Sequence, residues 1–128
     1  MKKILLILSL SLMGISSGGV AHHSTNLGYD TSIENFEVTG EFIGFRWVNP
    51  HVLMQVRVSN QAGEEEIWTA ETHGASVLGR FGWRPNMFEP GQELTIIGNP
   101  PRREDDHIVH IQYIETTDGE IYSPNQAN

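Results

Sequence analysis

The chain has 128 residues, no cysteine, and eight basic residues against 16 acidic ones, for a formal net charge of −8. The lack of cysteine excludes disulfides, a lipidated cysteine and a cysteine nucleophile. The acidic excess argues against nucleic-acid partners and anionic membrane surfaces, although it is also an ordinary route to solubility.

The chain opens with Lys2 and Lys3, followed by an apolar run from Ile4 to Met13 and a small, weakly polar stretch from Gly14 to Ala21. This layout predicts a secretory signal peptide over residues 1–21. The run is too short for a transmembrane helix, which needs about 20 residues. No second run follows, so no membrane span is expected. Gly19 and Ala21 place the cleavage between Ala21 and His22, with a cut after Gly19 as the competing site. The mature protein would then begin at His22, in the periplasm or outside the cell. Without the two lysines, six arginines face 16 acidic residues, a net charge of −10.

Residues 22–35, "HHSTNLGYDTSIEN", are polar and aperiodic and read as an extended N-terminal arm. The barrel domain is expected over residues 36–122. "FEVTGEFIGFRWV" is a long strand in which Phe36, Val38, Gly40 and Phe42 share one face at period two. Phe45 and Trp47 carry the apolar signal on the opposite phase, so a bulge or sharp coil is predicted near Gly40 and Gly44. "NPH" ends the strand, since Pro50 cannot donate to a ladder. "VLMQVRVS" and "EIWTAET" are the next two strands. "GASVLGRFG" is the one predicted helix, with Val77, Leu78 and Phe81 on one side and Gly82 in the left-handed position after its end. "QELTIIG" and "HIVHIQYIETTDGEIY" are the fourth and fifth strands, the latter turning at Asp118-Gly119 into a short return. Residues 123–128 read as a disordered tail.

The order strand, strand, strand, helix, strand, strand, with a coiled first strand, predicts an all-β fold. It is a small OB-like Greek-key barrel of five strands with one short helix between strands 3 and 4. A plain antiparallel sandwich is the alternative.

"AHHS", the pair "YD", "VTGEF", "WVNPHV", "W-x-x-E", "GW", "PGQELTIIG" and a late "DG" occur in order. In this set the chain resembles an uncharacterised bacterial secreted family, domain of unknown function 6152, over nearly the whole mature chain. The resemblance implies no particular activity. His22, His23, Ser24, Asn49, Pro50, His51, Glu71, Gly82 and Trp83 match its motif. The chain departs from the pattern at "ETHGASVL", so His73 is not carried over.

A histidine at a free N-terminus can chelate one metal through its α-amino nitrogen and Nδ1. A second imidazole opposite completes a planar nitrogen set, which suits Cu(II). His22 is therefore the candidate chelator, with His23 or His51 opposite and copper as the favoured cofactor. Against this stands the reading of His22 and His23 as solvated arm residues, and of His51 as a turn residue packed on Trp47 or bonded to Asn49. Asn49, Glu71 and Trp47 are candidate lining residues. Glu71 is read either as a partner orienting an imidazole or, preferentially, as a carboxylate near the helix start. His107 and His110, three apart on a strand, should face opposite ways and are read as structural or solvent-facing. Trp47, Trp68 and Trp83 are read as core before sugar platform.

No hydrolase, phosphate-loop or zinc-protease motif occurs, so the reading leans to binding over catalysis, with an oxidative copper enzyme as the catalytic alternative. The sequence predicts a secreted or periplasmic barrel that binds a transition metal. The alternatives are a metal-free module for a small ligand, glycan or protein partner, or an accessory of a larger secreted enzyme.

Overall fold

The computed structural model describes residues 25–126. The expected signal peptide, the cleavage site, His22 and His23 lie outside the described residues. The elements in order are β1 (Phe36–Arg46), β2 (Leu53–Ser59), β3 (Glu65–Glu71), α1 (Ala75–Arg80), β4 (Glu93–Asn99), β5 (Ile108–Thr116) and β6 (Ile121–Tyr122). A short 3-10 turn, Thr25–Leu27, precedes them.

β1 pairs antiparallel with β2 and β4, β2 with β3, and β4 with β5. The start of β5 then pairs parallel with the end of β3. That last pairing closes the circuit into the five-stranded OB-like barrel the sequence predicts. β6 adds a two-residue ladder to the far end of β5, outside the circuit.

The phase switch in β1 is a β-bulge. Phe42 faces Val56, but Gly44 faces Gln55, leaving Ile43 as the extra residue. Val38, Gly40 and Phe42 are buried before it. After it, Phe45 pairs with Met54 and packs edge-on against Phe42. Gly40 is required where β1 coils over β2, since a Cβ there would lie 2.5 Å from the Arg57 carbonyl oxygen. The interior is filled by Met54, Val56, Leu94, Ile96, Val109, Ile111 and Ile114, none more than 1 % exposed. Each contributes about 1.5–3 kcal/mol by leaving water.

Helix α1 caps one end of this core. Only Leu78 is buried within it, and Val77 turns outward, contrary to the expected cluster of Val77, Leu78 and Phe81. Val77 points about 100° around the helix from Leu78, while Phe81, just past the helix, packs against the core. The helix ends as its glycine predicts. Gly82 has φ +88, its N–H reaches the Gly79 carbonyl, and the Trp83 N–H reaches the Leu78 carbonyl at 3.1 Å. This delivers Trp83, fully buried, to the core.

Its indole N–H donates to the Ser123 carbonyl at 3.1 Å. The stretch read as a tail is thus tied to the barrel through Asn125. Pro124 is buried, and Asn125 Oδ1 lies 2.7 Å from His73 Nε2.

Candidate functional site

The parallel seam between β3 and β5 sets the site. In register, Glu71 of β3 stands beside His110 of β5 on one side and Leu53 of β2 on the other. Ala70 and Val109, the neighbours of Glu71 and His110, point into the core. Glu71 and His110 therefore share the outer wall.

His51 reaches the same wall because the "NPH" loop is stapled to the segment entering α1. The Val52 N–H donates to the His73 carbonyl at 3.0 Å, and the Thr72 N–H donates to the Val52 carbonyl at 3.1 Å. These bonds continue the β2–β3 ladder past the strand ends. Asn49 completes the staple. Its Nδ2 donates to Ser76 Oγ at 3.0 Å, and its Oδ1 accepts the Ser76 N–H at 3.1 Å. Gly74 permits the close approach, since a Cβ there would lie 2.5 Å from Asn49 Oδ1. His51, two residues before Leu53, comes to lie diagonally from Glu71.

The outcome is a carboxylate between two side chains. His51 Nδ1 lies 2.8 Å from Glu71 Oε1. The Tyr29 hydroxyl donates to Glu71 Oε2 at 2.6 Å. Burial, and then the Glu71 carboxylate, push the Tyr29 hydroxyl far above the ordinary tyrosine range, so it stays protonated and donates.

Tyr29 comes from the arm, which is anchored rather than freely extended. The Asp30 N–H donates to the Pro100 carbonyl at 2.9 Å, and the Arg102 N–H donates to the Gly28 carbonyl at 3.0 Å. Asn99 Nδ2 holds the Ile33 carbonyl at 2.8 Å. Tyr29 is thereby laid over the seam, its ring 5.4 Å from that of His110 at 51°.

His110, read from sequence as structural or solvent-facing, lies beside them. Burial holds its imidazole below the ordinary histidine range; nearby His73 and His51 add to this, and Glu71 opposes it. Its Nδ1 is buried and finds no hydrogen-bond partner among the described residues. Tyr29, His51, Glu71 and His110 line a cavity of about 320 Å³, together with Thr25, Leu27, Gly28 and Pro50.

Of the predicted site residues, His51 and Glu71 come together here. Glu71 contacts the His51 imidazole and lies four residues before α1. Asn49 braces the loop without lining the cavity. Trp47 packs edge-on against Phe45, 5.4 Å away. His107 is directed elsewhere: its ring stacks on Trp68 at 5.2 Å, and Nε2 lies 3.5 Å from Glu66 Oε2. Among the described residues, no three His, Asp or Glu side chains form a group that could hold a metal. No helix among them is long and apolar enough to cross a membrane.

A family model described as "Family of unknown function (DUF6152)" matches residues 10–109. Tyr29, His51 and Glu71 fall inside that stretch, and His110 lies one residue beyond it. No curated protein and no solved structure matches the chain.

Proposed function

The chain belongs to this family of unknown function, and from that premise we propose that it is a secreted or periplasmic barrel that binds a transition metal, copper above others. The ligands in this reading are the α-amino nitrogen and Nδ1 of His22, exposed by cleavage after Ala21, with His51 opposite. His23 is the alternative second imidazole. The amine and two imidazoles make a planar nitrogen set, the geometry Cu(II) prefers, and Cu(II) also heads the divalent affinity order.

The observation that carries the reading is the surrounding of His51. Its Nδ1 is engaged by Glu71, which fixes the ring. Metal-binding imidazoles are commonly oriented by a carboxylate in this way. The cavity that His51 lines also takes in Thr25, three residues after His22.

Titration of the mature protein with Cu(II) and Zn(II) tests this. Copper should bind the more tightly, because the set is planar rather than a tetrahedral four-ligand cage. His51→Ala should weaken binding and His107→Ala should not. Equal effects of the two substitutions would count against the assignment.

One observation favours a second reading. A cavity of about 320 Å³ is larger than a single ion fills and lies at the low end of small-ligand pockets. A metal-free module for a small ligand, glycan or partner protein is what would remain if copper did not bind.

A further inference from the structure

We propose that a pocket on the outer face of β1, β2 and β3 binds a small organic carboxylate. The Arg46 guanidinium takes the carboxylate, and an apolar body lies against Leu53 and Phe45. The site shares no lining residue with the cavity around Glu71 and does not rest on the metal-binding reading.

The first support is how the pocket arises. Met54, Val56 and Ala70 fill the core, so Leu53, Gln55 and Thr69 face outward. In register, Gly44 lies beside Gln55, and Gln55 beside Thr69. Gly44 has no side chain, and a Cβ there would meet nothing within 4 Å. The β1 bulge thus sets a gap in the outer face, and Phe45, Arg46 and Leu53 complete its lining. Its volume is about 330 Å³, within the range of small-ligand pockets.

The second is charge. Arg57 pairs with Glu41 and Glu65, Arg103 pairs with Asp106, and Asp30 feels the charge of Arg102. Arg84 donates to the Gly79 and Trp83 carbonyls. Arg80 closes the last turn of α1, where a cation is favoured. Arg46 lines the pocket and makes no ion pair or side-chain hydrogen bond among the described residues. Glu71 is two strands away in the same row, past Leu53, and is already held by His51 and Tyr29.

The third is the match to one class of anion. A guanidinium meets a carboxylate through two parallel hydrogen bonds. The Gln55 amide and the Thr69 hydroxyl supply further donors in the same lining. The net charge of −8 repels a doubly charged group such as a phosphate monoester more than a singly charged carboxylate.

The test is titration of ¹⁵N-labelled mature protein with benzoate and with hexanoate, followed at the Gly44, Gln55 and Thr69 amides. Saturable shifts at these residues are expected, and benzamide and phenyl phosphate should bind more weakly than benzoate. Arg46→Gln should weaken binding about tenfold or more, as for loss of hydrogen bonds to a charged group. Gly44→Val should fill the gap and abolish binding while the barrel stays folded. No saturable shift with either acid would overturn the proposal. So would benzamide or phenyl phosphate binding as tightly as benzoate, or unchanged benzoate affinity in either variant. Should Gly44→Val not fold, Arg46→Gln decides, because its side chain is exposed.

Discussion

His51 Nδ1 lies 2.8 Å from Glu71 Oε1. The same carboxylate accepts the Tyr29 hydroxyl through its other oxygen, so one side chain positions the candidate ligand and anchors the arm. Glu71→Gln keeps the size but removes the charge. It should lower copper affinity about 10–100-fold, the range for partners that orient a metal-bound imidazole, while circular dichroism still reports a folded barrel. Copper titration of the variant checks this. Unchanged affinity would show that His51 does not need the carboxylate.

Trp83 fills the core end of the barrel, and its N–H is satisfied by Ser123. Trp83→Ala should cost about 3–5 kcal/mol, as for other large buried aromatics, measured by denaturant unfolding. A loss near about 0.5 kcal/mol, the range for surface positions, would contradict its placement.

The barrel was legible because its signals are local. Period two marks the strands, the switch from Phe42 to Phe45 marks the bulge, and Gly82 marks the helix end. Each depends on neighbours a few residues away. His51 was legible as a candidate because "NPH" stands out. Tyr29 and His110 were not, because their roles arise from long-range pairing. The β3–β5 register sets His110 beside Glu71 from 39 residues away in sequence, and the bridge between Tyr29 and Pro101 brings the arm across the seam. Strand periodicity places His110 on the outer face but cannot say which strand lies beside it. Glu71 was half legible: its nearness to the helix suggested a dipole role, and only the stapled "NPH" loop reveals the imidazole it holds.

Tyr29 should show its environment on alkaline titration of the metal-free protein. In the unfolded chain a tyrosine loses its proton near pH 10. In the fold, burial and then Glu71 hold the Tyr29 proton far above that. Its contribution to stability is therefore fully present below about pH 10 and is lost as pH rises further. Absorbance near 295 nm should show Tyr29 ionising only together with unfolding. Tyr29→Phe should remove that step and cost about 1.5–3 kcal/mol at neutral pH, as for a hydrogen bond to a charged group. A Tyr29 that ionises near pH 10 in folded protein would refute the buried pair.

Copper binding itself should weaken as pH falls. The free α-amino group has an ordinary pKa of about 7.7–8.0 and imidazole about 6.5, and both must lose their protons to ligate. Binding at pH 7 should release protons into buffer, measurable by calorimetry in buffers of different ionisation enthalpy. Affinity should fall steeply between about pH 7 and pH 5. A flat profile over that interval would exclude amine and imidazole ligands.

The most direct test compares protein beginning at His22 with protein carrying one added residue before it. The added residue turns the amine into an amide and removes the chelate ring, while the barrel of residues 36–122 is untouched. Copper titration of the two, with unfolding curves alongside, should give a large loss of affinity in the extended form and equal stability of the metal-free proteins. Equal copper affinities would contradict the account and leave the two histidines as no more than the start of the arm.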